Sequence, residues 1–215
     1  MWLPTKYTYS HNRSFAAIAA GKYDNLRVMA GDSQAQQLAP KVPPTHAWLR
    51  AKAAATTPTG SDSDSGPRST ALGDTSAACF YFAQGLTDQH VALGKKPPII
   101  GILNMAIGGS MIEEWITNEV AQKCFGASRV AEGRSHMLWD VNTVPFLDMT
   151  VRGWLWYQGE NNCGGLHGNS AQSAGYGCMM PALVASWRKA WSVEPGTTDP
   201  TAPFGIVGIS QVKNM

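Results

Sequence analysis

Short apolar runs alternate with longer amphipathic stretches along this chain. Four runs predict β-strands, at residues 26–30, 98–103, 151–157 and 204–210. Apolar residues recur at helical spacing in two stretches, one formed by Cys79, Phe82, Leu86 and Leu93, the other by Met180, Leu183, Val184, Trp187 and Trp191. Strands that alternate with helices favour a parallel sheet covered on both faces. The pattern therefore predicts an α/β fold, and right-handed crossovers make a three-layer α/β/α sandwich its expected form.

Two polar stretches interrupt this pattern. Residues 53–74 are rich in Ser, Thr, Gly, Pro and Asp and lack apolar periodicity, which predicts a flexible surface insertion. Residues 164–177 form a second, glycine-rich stretch that predicts a loop. Nothing marks a second domain, and 215 residues suit one domain with a sizeable core or most of a larger one. We therefore predict a single domain over residues 1–215.

Composition excludes several functional classes. The chain has 44% hydrophobic and 15% charged residues, as ordinary globular proteins do. A net charge of +2 gives no electrostatic basis for binding nucleic acid or anionic membrane. The longest apolar runs are too short to cross a bilayer, so no membrane insertion is expected. Composition leaves the oligomeric state open.

The cysteines suggest structural roles. No pair among Cys79, Cys124, Cys163 and Cys178 has C-x-x-C spacing, which weighs against a zinc or thioredoxin-like site. Cys79 falls within an apolar helical pattern and is expected to be a small core residue. Cys163 and Cys178 flank the predicted loop at 164–177 and would close it by a disulfide in an oxidising compartment. The sequence leaves that pairing open.

The densest group of polar side chains follows the apolar run at 151–157. Residues 154–162 read WLWYQGENN, which predicts a buried strand that delivers polar side chains into a loop at its carboxyl end. Open α/β sheets bind their ligands at this position. If this loop has no catalytic role, Gln158 and Glu160 would only satisfy backbone groups around a buried turn.

A second block, residues 101–115, reads GILNMAIGGSMIEEW. Glycine at a strand end lets backbone N–H groups approach a ligand, as an oxyanion hole requires. Gly108 and Gly109 are therefore candidate donors. Taken alone, this Gly-Gly pair would favour a tight strand-to-helix turn with no catalytic role.

Together these blocks resemble those of the sialate O-acetylesterase family, carbohydrate esterases within the SGNH hydrolase group. Residues 154–162 resemble its W-Y-Q-G-E-S-N motif, and residues 101–115 resemble G-L-I-x-x-x-W-G-G-T-x-x-E-x-W. Ile107, Val144 and Asn161 depart from the family pattern, which has Trp, His and Ser at these positions. The resemblance implies the flavodoxin-like α/β/α fold of SGNH hydrolases.

The resemblance also implies site residues. Gln158 would donate its side-chain amide to the oxyanion, beside the backbone donors Gly108 and Gly109, with Asn161 as a second candidate donor. The remaining residues implied for the loop and substrate pocket are Glu160, Asn162, Trp156 and Ser110. Trp156 also fits a core residue of the strand, whereas an exposed indole at a pocket mouth would stack on a sugar ring.

The implied activity is removal of O-acetyl groups from sialic acid or a similar acetylated glycan through a serine acyl-enzyme, without metal or cofactor. The family places its serine in G-Q-S-N-M followed by W-L-P, and this chain opens Met1-Trp2-Leu3-Pro4. We therefore expect the nucleophile to precede Met1 and the D-x-x-H histidine to follow Met215, which would leave the chain alone inactive. The resemblance favours a secreted or lysosomal location.

Two alternatives remain open. Gly31-Asp32-Ser33 follows an apolar run as the nucleophile of GDSL-type lipases and esterases does, although Gly-Asp-Ser is also a common turn tripeptide. The chain would otherwise be a non-catalytic carbohydrate-binding relative. The five histidines do not fit a D-x-x-H setting near the C-terminus and are expected to be ordinary surface or core residues: His11, His46, His90, His136 and His167.

Overall fold

The structure is a computed structural model. It describes residues 4–30, 48–58, 70–125, 136–162, 170–193 and 197–208. The chain divides into two compact units, which we consider separately. The first unit comprises residues 2–36 and 44–106, and the second comprises residues 107–215 with residues 1 and 37–43.

The first unit contains a three-stranded sheet in the order β2-β1-β3. Its strands are β1 (Leu26–Ala30), β2 (Leu49–Arg50) and β3 (Ile100–Asn104). β1 and β3 are parallel, with Leu26 opposite Ile100, whereas β2 is antiparallel to β1. The bounds predicted for β1 are confirmed, and those for β3 are displaced by one or two residues. The short edge strand β2 escaped the sequence analysis because two residues carry no periodicity.

The described residues of this unit also form three helices: α1 (His11–Ala19), α2 (Ala51–Ala54) and α3 (Ala77–Ala92). The helix predicted around Cys79 is confirmed as α3, but its buried face was wrong. α3 buries Phe80, Ala83 and Thr87, whereas Phe82 is 57% exposed. The buried face thus combines the large Phe80 with the smaller Ala83 and Thr87.

Cys79 packs, partly buried, against the core of the first unit. Burial raises the pKa of its thiol above the ordinary value, so the thiol is protonated and unreactive at neutral pH. The expected role of Cys79 as a small packing residue is confirmed.

Both ends of the segment 53–74 pack into the first unit. Ala54 and Leu72 are fully buried, and the Leu72 N–H donates to the Ala54 carbonyl at 2.9 Å. The Ala71 N–H likewise donates to the Thr57 carbonyl at 2.9 Å. The flexible surface insertion predicted over 53–74 stays a prediction, since residues 59–69 lie outside the described residues.

In the second unit, strands β4 (Trp154–Trp156) and β5 (Phe204–Ile206) pair in parallel. Its helices are α4 (Asn118–Phe125) and α5 (Ser170–Trp191). Its short turns of 3-10 or π helix are Ile112–Trp115, Trp139–Thr143, Val144–Phe146 and Glu160–Asn162. The α/β class is thus confirmed, and the three-layer arrangement stays a prediction.

The loop predicted at 164–177 is wrong from Ser170 onward, since α5 begins there. Glycines at 175 and 177 weaken helix propensity, but long-range contacts override it. One is a disulfide between Cys124 of α4 and Cys178 of α5, with Cα atoms 5.7 Å apart. Cys178 is therefore not the partner of Cys163, which lies outside the described residues.

Six aromatic rings form the core beneath β4 and β5, with ring centroids 5.4 to 6.5 Å apart. They belong to Trp115, Trp154, Trp156, Trp187, Trp191 and Phe204. The Trp187 indole N–H donates to the Trp115 carbonyl at 2.9 Å, and that of Trp191 donates to the Phe146 carbonyl at 3.1 Å. Of the apolar face predicted for α5, Leu183, Trp187 and Trp191 are buried, whereas Met180 and Val184 are half-buried.

Gly153, directly before β4, offers a test of the parallel pair. A Cβ at Gly153 would lie 2.6 Å from the Pro203 carbonyl oxygen, which accepts the Trp154 N–H at 3.0 Å. Gly153→Ala should lower the free energy of unfolding by about 2 kcal/mol, because backbone must shift to accept the methyl group. A Cβ at Gly177 in α5 meets nothing within 4 Å. Gly177→Ala should stabilise by up to about 1 kcal/mol.

Urea denaturation measures the free energy of unfolding of both variants and of the parent chain. Equal unfolding free energies for Gly153→Ala and the parent chain would contradict the close β4–β5 approach.

In the part of the chain that the structure describes, none of the helices combines the length and apolar character of a bilayer span.

Candidate active site

In the second unit, residues 107–110 form a turn around Gly108 and Gly109, here called the glycine turn, which leaves backbone N–H donors accessible. Gly109 has φ +79°, a left-handed conformation that glycine adopts without strain. Gly108 and Gly109 are exposed, and a Cβ at Gly108 would meet nothing within 4 Å. Among the described residues, neither glycine donates its backbone N–H to a hydrogen bond. Two adjacent N–H groups with open space beside Gly108 suit an anionic ligand atom.

Gln158 joins the loop after β4 to this glycine turn. Its Nε2 donates to the Ser110 carbonyl at 2.9 Å and to Asn162 Oδ1 at 2.7 Å. A carboxamide has two N–H donors, and both are used here. The side chain predicted to donate to an oxyanion is thus held by two hydrogen bonds within the protein.

Asn162 is the most buried polar residue of this loop, with 2% of its surface exposed. Its Oδ1 also accepts the Ile112 N–H at 3.1 Å, and its Nδ2 donates to Glu113 Oε2 at 2.9 Å. A buried amide with this many partners stabilises the local geometry strongly. Asn162 therefore ties the loop to the turn Ile112–Trp115.

Asn161 and Glu160 lie nearer the surface than Asn162, and both are half-buried. Asn161 Nδ2 donates to the Gly109 carbonyl, a second hydrogen bond between the loop and the glycine turn. Glu160 begins the turn Glu160–Asn162. The structure therefore brings the two sequence blocks together through Gln158, Asn161 and Asn162.

Ser110 and Trp156 are 9% and 6% exposed. Ser110 Oγ donates to the Ile107 carbonyl and accepts the Trp115 indole N–H, each at 3.0 Å. The Trp156 indole N–H donates to the Tyr176 hydroxyl at 3.1 Å. Both residues thus offer little surface to a sugar, and the geometry favours the core interpretation of Trp156.

Glu114 and Tyr176 belong to this network but were not among the predicted site residues. Glu114, 4% exposed, accepts the Met111 N–H at 2.6 Å and thereby shapes the turn that follows the glycines. Tyr176 lies on α5, in the stretch predicted to be a loop. Its spacing to Met180 and Leu183 follows the helical period and would have revealed it.

Both sequence blocks lie within a segment that matches a known protein family. The family described as carbohydrate esterase, sialic acid-specific acetylesterase, matches residues 23–210. The chain belongs to this family. It is 40% identical over 171 residues to the sialate O-acetylesterase of Rattus norvegicus and 29% identical over 144 residues to that of Homo sapiens. These matches cover 63% of the chain but 29% and 25% of those proteins, so the chain spans under a third of their length. No solved structure matches significantly.

Ester hydrolysis through an acyl-enzyme requires a nucleophile and a base. The serine and histidine predicted before Met1 and after Met215 fall outside residues 1–215, and the alternative nucleophile Ser33 lies outside the described residues. His136 pairs with Asp140 at 2.9 Å, and its backbone N–H donates to the Glu113 carbonyl at 3.2 Å. Within the described ranges, no cluster of three or more His, Cys, Asp or Glu has the arrangement of a metal site.

Proposed function

We propose that this chain forms the oxyanion-stabilising side of a serine esterase that removes O-acetyl groups from sialic acid or a similar acetylated glycan. One observation carries the proposal: the glycine turn and the 158–162 loop are joined by hydrogen bonds, and no described residue accepts the N–H groups of Gly108 and Gly109. Membership of the sialic acid-specific acetylesterase family supports the substrate class.

The proposed reaction is acyl transfer to a serine. The serine oxygen attacks the acetyl carbonyl carbon while a histidine takes its proton, and the carbonyl oxygen becomes an oxyanion. The tetrahedral intermediate then expels the sugar oxygen, which receives the proton from the histidine. Water next attacks the acyl-enzyme and releases acetate. This chemistry needs no metal or organic cofactor.

The available donors would act at the oxyanion. The N–H groups of Gly108 and Gly109 can stabilise it without first breaking a hydrogen bond, which is the advantage of a preorganised site. Gln158 would turn one of its two N–H groups from Ser110 or Asn162 Oδ1 to the oxyanion. Asn161 is the alternative side-chain donor.

The remaining predicted residues divide by burial. Glu160 and Asn161 would face the substrate, since they are half-buried. Ser110, Trp156 and Asn162 would support the loop from behind, because their polar atoms are bonded within the protein.

We further propose that the described strands belong to a three-layer α/β/α sandwich of the SGNH type. The parallel pairs β1–β3 and β4–β5 and the accompanying helices support this fold. The Cys124–Cys178 disulfide supports an oxidising location such as the secretory pathway or the lysosome.

We place the nucleophilic serine and the catalytic histidine outside residues 1–215. The purified chain should therefore show no enzymatic turnover of an acetyl ester, although oxyanion donors and binding alone can leave a residual rate of roughly 10³ to 10⁴ over water. The assay uses p-nitrophenyl acetate and an O-acetylated sialoside, with Ser33→Ala as the paired variant. Robust turnover that is abolished by Ser33→Ala would identify Ser33 as the nucleophile and refute this placement.

The full-length protein encoded by the parent gene tests the activity itself. It should release acetate from the O-acetylated sialoside. A full-length protein that binds the sialoside without releasing acetate would instead be a carbohydrate-binding relative.

A further inference from the structure

Tyr176 connects the aromatic core of the second unit to Gln158. Its hydroxyl lies 3.1 Å from the Trp156 indole nitrogen, 3.0 Å from the Gln158 main-chain oxygen and 3.1 Å from Gln158 Oε1. The tyrosine is half-buried on α5, in the helical turn that also carries Cys178 of the disulfide.

At one end of this network, two hydrogen-bond directions follow from the groups present. An indole N–H can only donate and a main-chain carbonyl can only accept, so the Tyr176 oxygen accepts from Trp156 and its single proton is donated toward Gln158. The main-chain oxygen and Oε1 of Gln158 share that proton. Tyr176 therefore donates to the Gln158 side chain only while Oε1, not Nε2, faces α5.

At the other end of the network, the hydrogen bonds to Ser110 and Asn162 require the same orientation of the Gln158 carboxamide. The Ser110 carbonyl can only accept, so Gln158 must present Nε2 to it. Asn162 Oδ1 already accepts the Ile112 N–H, and it too requires a donor from Gln158. A flipped Gln158 carboxamide would place Oε1 against two acceptors and would lose the hydrogen bond that Oε1 accepts from Tyr176.

We infer that Tyr176 is a positioning residue that holds the Gln158 carboxamide with its N–H groups toward the glycine turn, an inference that rests on the proposed oxyanion role of Gln158. Without the hydroxyl, Oε1 loses a donor and the carboxamide rotates more freely. The N–H group that Gln158 would turn to the oxyanion would then spend less time on the side of the glycine turn.

The first test observes orientation without activity. In the 215-residue chain labelled with ¹⁵N-glutamine, the Gln158 carboxamide signal is assigned by its loss in Gln158→Ala. Tyr176→Phe should shift this signal and make the carboxamide protons of Gln158 exchange faster with water. Tyr9→Phe, which deletes a fully exposed hydroxyl, should change neither the signal nor the exchange rate. Unchanged Gln158 signals in Tyr176→Phe would refute the inference.

The second test measures the full-length esterase. Tyr176→Phe should lower kcat by roughly 10-fold with KM nearly unchanged, because misplacing a catalytic group affects the chemical step. In the Gln158→Ala background it should have no further effect, since both residues act through one amide. A full additional loss in that background would show that Tyr176 acts independently of Gln158 and would overturn the inference.

The two tests separate the two proposals. If Gln158→Ala leaves kcat unchanged while Tyr176→Phe still alters the Gln158 signals, the oxyanion role fails and the positioning contact stands.

Should Tyr176→Phe fail to fold, fluorotyrosine at position 176 keeps the ring and hydroxyl but loses its proton at lower pH. The Gln158 signal should then shift as this hydroxyl titrates, and a pH-independent signal would refute the inference.

Discussion

Replacing Gln158 by alanine is expected to lower kcat on an acetyl ester by roughly 10²-fold or more, the usual effect of losing one oxyanion donor. The reason is that Gln158 Nε2 is held at the glycine turn, 2.9 Å from the Ser110 carbonyl. The measurement is steady-state kinetics of the full-length protein with an O-acetylated sialoside. KM should change little, because the interaction is made mainly in the transition state.

Gln89→Ala serves as the matched control, since Gln89 is exposed on α3. Circular dichroism before kinetics separates a catalytic loss from unfolding, because Gln158→Ala also removes three intramolecular hydrogen bonds. A folded Gln158→Ala variant with unchanged kcat would transfer the donor role to Asn161 or to the backbone N–H groups alone.

Removal of the Cys124–Cys178 disulfide is expected to have the largest effect on stability. The bond closes a sequence separation of 54 residues. On a chain-entropy estimate, a loop of this size contributes about 4 kcal/mol to the free energy of unfolding. Urea denaturation of the Cys124→Ala/Cys178→Ala double variant should show this loss. Dithiothreitol should destabilise the parent chain but not the double variant.

Peptide mapping of the unreduced chain identifies the pairing directly. Trypsin leaves Cys163 and Cys178 on one peptide, so chymotrypsin, which cleaves after Tyr176, must be added. A mass that joins the Cys124 and Cys178 peptides is expected. A mass joining Cys163 to Cys178 would contradict the structure and restore the loop closure that the sequence left open.

Periodicity predicted the elements better than their buried faces. β1 lies where the apolar run placed it, and α5 buries Leu183 and Trp187 as its spacing indicated. The buried face of α3 was wrong because this helix carries apolar residues on more than one face, with Phe80 and Ala83 on one and Phe82 and Leu86 on another. Spacing alone does not decide which of two apolar faces packs against the sheet.

In the candidate site, too, the sequence predicted some features and the tertiary structure decided others. The sequence alone located the blocks at 101–115 and 154–162 and their resemblance to an esterase family, because chemistry-bearing residues and glycines are local and recognisable. Only the tertiary structure showed that Gln158 spends both N–H groups on Ser110 and Asn162, and that Tyr176 holds its oxygen. Hydrogen-bond partners 18 to 50 residues apart depend on how the chain folds back on itself. Residue identity therefore determined which chemistry is present, and long-range packing decided which of those groups stay available for a substrate.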